Sequence, residues 1–504
     1  MPFSAAAMHT LKHLLVRPRI ASLTSQRARL ATLASYDCHY IGNEWVPSRG
    51  LGRIIVTDSN SGAEACSVPA GCAADVESAC EAASKAFTPW ATQPLSVRKE
   101  ALAAVRSEYA KRLPDFSDAL CVELGCTRSF ATRVQSRLPL IHWDALLEQI
   151  DAFQWEEHLP PNTTIIKEPI GVVGAITPWN YPLHQIALKI GPAFLAGCTV
   201  VLKPSEVTPV SAYILTEAVH AAGLPAGVFN MVMGDGLDCG EALASHPKVD
   251  MVTFTGSTRA GRRVCELAAG TLKRVRTELG GKSAAIMLDD ADLSSQIPHV
   301  MSQLMVNSGQ SCNAFSRLLV PHVRYEEAVA IATAFAEKQR VTTSSEDGDL
   351  GPLASRVQHE RVTELINAGM REARLVAGGL EPPPGVPAGG YFVRPTVLAD
   401  VTNDMQIAQQ EVFGPVLAVL AYHTDEEAIQ IANDTIYGLN NAVMSASTER
   451  AQAVARRLRS GQVYVNKARA NKLAPFGGYK QSGDGREWGI YGLLEFLQVK
   501  AIQT

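Results

Sequence analysis

Between residues 171 and 268 short apolar runs alternate with amphipathic stretches, and this alternation restricts the fold more than any other feature of the chain. GVVGAI (171–176), TVVLKPSE (199–206), GVFNMVMG (227–234) and VDMVTFTG (249–256) read as strands. HQIALKIGPAFLAG (184–197) reads as a helix ending at Gly197, and Ile214, Leu215, Ala218, Val219 and Ala222 share one face of the next. Further helices are expected up to about residue 245 and from Ala260. Strands that are apolar along their whole length are buried on both faces, so the pattern predicts an α/β fold with a parallel, doubly wound sheet. Such a sheet binds ligands outside the carboxyl ends of its strands.

A second alternating region runs from about 282 to 470, with SAAIML, SRLLVP, ARLVAGG, PVLAVLAY, NNAVMS and GQVYVN as strands. It predicts a second α/β domain, and a length of 504 residues leaves room for two or three cores. Before the first region, Val76, Ala79, Cys80, Ala83 and Phe87 mark helical periodicity over 73–112, and one long helical stretch is expected from about 114 to 151. The segment DAFQWEEHLPPNTTIIKE (151–168) interrupts this with a Pro-Pro break and a Thr/Ile-rich strand.

Composition narrows the function. A net charge of −4 supplies no strongly basic face, which argues against nucleic acid as a partner. No apolar run is long enough to cross a bilayer. Ten cysteines without a C-x-x-C pair argue against a disulfide framework or zinc knuckle, and the histidines lack metal-ligand spacing and read as structural. Residues 1–35 carry Lys12, Arg17, Arg19, Arg27 and Arg29, several Ser and Thr, and no acid, with Met8, Leu11, Leu14 and Leu15 on one potential helix face. This composition fits a mitochondrial targeting leader, with a plastid-type leader or a cytoplasmic protein with a disordered tail as alternatives.

Cys312 stands in VNSGQSCNA (306–314), flanked by small polar residues where the other cysteines sit in apolar or helical surroundings. Alone it could be a nucleophile, a metal ligand or a buried thiol. Candidate partners lie at strand ends. PWNYP (178–182) would fix the Asn180 amide between two prolines, as a donor to an oxyanion. Glu278 precedes two glycines in RTELGGKS (276–283), where a carboxylate can act as a general base. Lys203 and Glu206 flank Pro204 at a sheet rim and could reach ribose hydroxyls. Gly256 and Gly261 in FTGSTRAG would let a phosphate approach a helix N-terminus, although the spacing is not G-x-G-x-x-G.

FTGST, ELGGK, GQSC, EVFGP and PFGGYKQSG, in this order, resemble the NAD(P)-dependent aldehyde dehydrogenase superfamily over about residues 36 to 504. The resemblance implies a Rossmann-type NAD-binding domain (36–150 and 169–278), a catalytic domain (279–484) and a small β oligomerisation element (151–168 and 485–504). It implies that Cys312 attacks the aldehyde, that Asn180 and the Cys312 N–H hold the oxyanion, and that Glu278 activates the water that hydrolyses the thioester. Lys189 and Glu487 match positions assisting proton transfer. Lys203, Ser205, Glu206, Trp179, Gly256, Ser257, Glu411 and Phe413 match cofactor-binding positions. Glu206 would repel a 2′-phosphate by up to ~4 kcal/mol at an effective dielectric of about 20, which favours NAD over NADP. The expected substrate is a small-molecule aldehyde, no metal is needed, and a homodimer or homotetramer is implied. A CoA-acylating semialdehyde dehydrogenase is the nearest alternative, against which Glu278 counts, and a non-enzymatic descendant the next. Departures are Gln410 before Glu411, Asn313 after Cys312, and a loop (466–476) whose Lys467, Arg469 and Lys472 could steer an anionic aldehyde.

Overall fold

The computed structural model describes residues 36–504, so the expected leader lies outside the described residues. Five parallel strands form most of a seven-stranded sheet, in the order Arg274–Glu278, Met251–Thr255, Val172–Ile176, Thr199–Lys203 and Phe229–Met231. The hairpin Cys38–Ile41 and Glu44–Pro47 extends it antiparallel, an addition the alternation does not announce. Every residue of Val172–Ile176 and Thr199–Lys203 is buried, as their apolar, β-branched character requires. Pro204, which has no N–H for the ladder, ends the second of these. The helix Pro182–Ala196 is buried along its whole length and stops at Gly197, whose φ of +94° favours glycine.

The strand order grows outward from Val172–Ile176 through Thr199–Lys203 to Phe229–Met231. It then returns to the other side with Met251–Thr255 and Arg274–Glu278. This reversal opens a crevice at the carboxyl ends of Val172–Ile176 and Met251–Thr255. The Pro178–Pro182 loop leaves one of these strands and Gly256–Ser257 leaves the other.

A second seven-stranded sheet runs Arg374–Ala377, Thr396–Ala399, Val416–Tyr422, Arg317–Pro321, Ala284–Met287, Asn440–Met444 and Gln462–Val465. All its neighbours are parallel except the first pair. A separate antiparallel sheet joins Glu156–Leu159, Thr163–Pro169 and Leu497–Gln503.

Two expectations need correction. The stretch 114–151 is not one helix: Leu113–Glu123 and Leu138–Gln149 are separated by a turn, a short helical piece and a π-turn. Gly125, at φ +74°, makes the break, and a Cβ there would lie 2.5 Å from the Pro352 side chain and 2.8 Å from that of Ser59. Gly261 is not between strand and helix but inside the helix Thr258–Ala268, where a Cβ would meet the Leu279 side chain at 2.6 Å. It serves helix packing, and only Gly256 occupies the turn.

Candidate active site

The carboxyl edge of the first sheet meets the amino edge of the second. Gly280 and Gly281 lead into Ala284–Met287, Cys312 into Arg317–Pro321, and Glu411 and Phe413 into Val416–Tyr422. The second sheet therefore contributes through the ends that a doubly wound sheet ordinarily leaves unused.

Cys312 follows the helix Leu293–Met305 through Asn307, Ser308 and Gly309, with φ of +54°, +55° and +77°. Two consecutive non-glycine residues in the left-handed region cost about 1–2 kcal/mol each. The surrounding contacts hold them there: Asn307 Nδ2 donates to the Asn180 carbonyl at 2.9 Å, and Ser308 Oγ donates to Gly351 O at 2.8 Å. At Gly309 a Cβ would lie 2.1 Å from the Gly414 backbone.

Asn180 is fixed from three directions. Gln135 Nε2 and Asn307 Nδ2 both donate to its carbonyl at 2.9 Å, and its own Nδ2 donates to Gln310 O at 3.1 Å. An amide nitrogen carries two hydrogens, so one remains for an incoming oxygen. The next residue, Tyr181, is joined through its hydroxyl to Ser311 Oγ at 2.8 Å. These contacts bring the Asn180 loop and the Cys312 loop together.

Cys312 is half-buried. Burial pushes its thiol up, and Glu411, Glu278 and Glu487 add to the effect, so the protein's own charges oppose the thiolate. Glu278 ends the strand Arg274–Glu278, buried, with no hydrogen-bond partner on either oxygen. Its carboxyl lies against Gly477 and Gly485, where a Cβ would come within 2.8 and 3.0 Å of Oε1. Burial and then Glu487 raise it well above the ordinary value, while Lys189 and Arg486 oppose the rise. Lys189 Nζ donates to Glu487 Oε1 at 2.8 Å and to Thr255 Oγ1 at 2.7 Å.

Along the crevice, Lys203 Nζ donates to Glu206 Oε2 at 2.8 Å, and Ser205 Oγ accepts from Val207 N at 3.2 Å. Ser257 caps the helix Thr258–Ala268 by accepting from Ala260 N at 3.2 Å. Trp179 and Phe413 stand perpendicular with centroids 5.3 Å apart, spanning the two sheets' edges. Glu411 Oε1 accepts from Gly281 N at 2.8 Å. A Cβ at Gly280 would lie 2.1 Å from Glu411 Oε2, and one at Gly281 would lie 2.4 Å from Cys312 O. Burial raises Glu411 to about 7, against the opposing Gly281 N–H, Arg361 and Lys282. Among the described residues no cluster of His, Cys, Asp or Glu could hold a metal ion.

The structure thus gathers Asn180, Lys189, Glu278, Glu487 and Cys312, with Glu411 behind Gly280 and Gly281. Lys203, Ser205, Glu206, Gly256 and Ser257 line the rim of the first sheet, and Trp179 and Phe413 bridge to the second. Sequence reading misses the residues that hold these in place: Gln135, Tyr181, Thr255, Asn307, Gln310 and Ser311. Asn307 and Gln310, amides within five and two residues of the cysteine, are the visible signal for two of them.

In this fold the crevice of one doubly wound sheet, the place where such sheets bind ligands, faces a second α/β unit that carries Cys312. Comparison with known proteins fixes the family. The family model described as "Aldehyde dehydrogenase family" matches residues 45–502. The 3-succinoylsemialdehyde-pyridine dehydrogenase of a Pseudomonas species is 45% identical over 473 residues, 93% of this chain and 99% of that protein. A crystal structure of a variant of aldehyde dehydrogenase C from Pseudomonas syringae, complexed with NAD+ and octanal, is 42% identical with a TM-score of 0.91, over 93% of this chain and 97% of that one. A Mycobacterium tuberculosis aldehyde dehydrogenase complexed with NAD+ is 40% identical with a TM-score of 0.91, over 94% and 98%. The chain belongs to the aldehyde dehydrogenase family. It is an enzyme that oxidises aldehydes.

Proposed function

We propose that the protein converts an aldehyde to its carboxylic acid with NAD through a covalent adduct on Cys312. The observation that carries this reading is the bonded contact between the Asn180 and Cys312 loops, beside a buried Glu278 that has no partner. The Cys312 thiol gives up its proton through Glu278 to water as Sγ forms a bond to the aldehyde carbon, and the carbonyl electron pair moves to oxygen. The free hydrogen of Asn180 Nδ2 and the Cys312 N–H stabilise that oxyanion; one such donor is worth about 3 kcal/mol. Bound NAD would supply the acceptor for the hydride of the adduct carbon, and Lys203, Glu206, Ser257 and Glu411 would hold it. The resulting thioester is attacked by water as Glu278 takes its proton, the C–S bond breaks, and the acid departs.

The residues fit a dinucleotide. The helix Thr258–Ala268 offers unpaired N–H groups to phosphate, and the absence of side chains at Gly280 and Gly281 leaves Glu411 seated against the backbone beside Cys312. Glu206, held by Lys203, sets a carboxylate where a 2′-phosphate would be repelled, which favours NAD. Transfer of the acyl group to CoA is the second reading, and the presence of Glu278 counts against it.

The relatives' names mention different aldehydes, so family membership leaves the substrate open. The chain forms a homodimer or homotetramer through the strand Leu497–Gln503, whose Val499 and Ile502 are exposed. No helix of the described residues is long and apolar enough to cross a membrane. The basic, acid-free composition of residues 1–35 supports import into the mitochondrial matrix, tested by fusing them to a fluorescent reporter. Initial-rate NADH formation across aliphatic, aromatic and carboxylate-bearing aldehydes, with Cys312→Ala alongside, tests the reaction. NADH formation that survives in the variant overturns it.

A further inference from the structure

The loop 466–476 is fastened at both ends to the segments that carry the reacting groups. Before it, Tyr464 meets Phe315, three residues after Cys312, edge-on at 6.3 Å. At its far end Phe476 and Glu487 exchange backbone hydrogen bonds of 2.9 and 2.7 Å. A Cβ on the next residue, Gly477, would lie 2.8 Å from Glu278 Oε1. A wall of rings makes a third tie. Phe476 stacks on Trp488 at 4.9 Å, Trp488 packs on His142 at 5.1 Å, and His142 on His184 at 4.7 Å. His184 meets Tyr181 edge-on at 6.4 Å, and the Tyr181 hydroxyl is bonded to Ser311, the residue before Cys312.

The loop carries Lys467, Arg469 and Lys472, all exposed, and no Asp or Glu occurs between Gln462 and Gly483. Lys467 donates to Ser295 Oγ. Arg469 and Lys472 have no hydrogen bond or ion pair among the described residues, so both charges face solvent uncompensated. A chain spans at most about 3.6 Å per residue, so the Cα atoms of all three cations lie within about 18 Å of Tyr464 or Phe476. The charge of Lys472 already reaches the wall of rings: burial and then Lys472 lower His142 to about 4. Elsewhere the charges work against an anion. The chain as a whole carries −4, and Glu411, Glu278 and Glu487 all bear on the Cys312 thiol. Attraction for an anion therefore comes from this rim. The Debye length is about 30 Å at 0.01 M ionic strength and about 3 Å at 1 M, so the field of the loop reaches past its anchors at low salt and is lost at high salt.

We infer that Lys467, Arg469 and Lys472 form an electrostatic rim that draws in aldehydes carrying a carboxylate, making such semialdehydes better substrates than uncharged aldehydes of the same shape. This rests on the reading of Cys312 as the nucleophile. The cations act on the approaching anion at a distance and touch neither the reacting carbon nor the cofactor, so the effect sits in kcat/KM and leaves kcat unchanged.

The test compares kcat/KM at saturating NAD for 4-oxobutanoate and for its uncharged methyl ester, at ionic strengths of about 0.01 M and about 1 M. The ratio of the two cancels the effect of salt on NAD binding and on the chemistry. The full chain is assayed beside the triple variant Lys467→Gln, Arg469→Gln, Lys472→Gln and the double variant Arg469→Glu, Lys472→Glu, with thermal unfolding of each to confirm folding. At low salt the unmodified protein is expected to favour 4-oxobutanoate by about tenfold or more, the lower end of what steering supplies, and the preference should fall towards one at high salt. The triple variant should show the small ratio at both salts with its kcat for the ester unchanged, and the double variant should favour the ester at low salt. A ratio that salt does not move, or one that all three proteins share, would overturn the inference while leaving the reaction intact. No NADH from either aldehyde with the unmodified protein would overturn the nucleophile reading and this inference with it.

Discussion

Lys189 and Glu487, 298 residues apart, form an ion pair of 2.8 Å with side chains only 1% and 7% exposed. Lys189 projects from the wholly buried helix Pro182–Ala196, and Glu487 is the residue that places its negative charge beside Glu278. Removing one member of such a pair leaves an uncompensated buried charge, at about 3–5 kcal/mol. Lys189→Met and Glu487→Gln should each be destabilised on this scale, and the double variant by less than the sum. Urea unfolding of the four proteins measures the coupling. Additive losses would mean that the two side chains do not interact in solution.

Glu278 links stability to pH. Its carboxyl keeps a proton in the folded state over a range where the unfolded chain, with its ordinary value of 4.5, has lost it. The folded state then binds more protons than the unfolded one, so this group's contribution to stability falls as pH rises from about 4.5 through its raised value. Glu278→Gln should therefore gain stability relative to the unmodified protein at pH 9 more than at pH 5. Its kcat should fall by about 10²–10⁴-fold, the usual contribution of a general base. Paired urea titrations at the two pH values check the first point and steady-state rates the second.

A Cβ at Gly280 would stand 2.1 Å from Glu411 Oε2, so a side chain there must push that carboxylate aside. Gly280→Ala should displace Glu411 from Gly281 N at a cost of about 1–3 kcal/mol, typical of overpacking. The expected signature is a KM for NAD raised by roughly tenfold. An unchanged KM would show that Glu411 takes no part in holding the cofactor.

The proposed preference for NAD is tested at Glu206. Replacing it with Ser removes the charge that would face a 2′-phosphate, a repulsion of up to ~4 kcal/mol. Glu206→Ser should raise the NADP-to-NAD ratio of kcat/KM by at least about tenfold, allowing for solvent screening of this partly exposed side chain. The same change frees Lys203 from its partner.

Much of this architecture is legible in the amino-acid sequence. The double burial of Val172–Ile176 and Thr199–Lys203 is written in their uninterrupted apolar residues, and Pro204 announces where the second must stop. The helix Leu138–Gln149 is hidden inside a run of good helix formers, because the break at Gly125 answers to Pro352 and Ser59, partners distant in sequence. Gly261 looks like a phosphate-turn glycine, and only the packing of Leu279 against it shows otherwise. Reactive side chains stand out because their flanking residues form local motifs. Gln135, Thr255 and the wall from Tyr181 to Trp488 do not, because each acts through a contact that no local pattern encodes.

The central claim is that the aldehyde becomes bonded to Cys312. Intact-protein and peptide mass spectrometry of Glu278→Gln, mixed with NAD and an aldehyde and quenched in acid, tests it directly. The expected result is one acyl group per active chain, located on the peptide containing Cys312, formed together with a stoichiometric burst of NADH. A burst of NADH with no adduct on Cys312, or an adduct that forms equally in the Glu278→Gln, Cys312→Ala double variant, would contradict it.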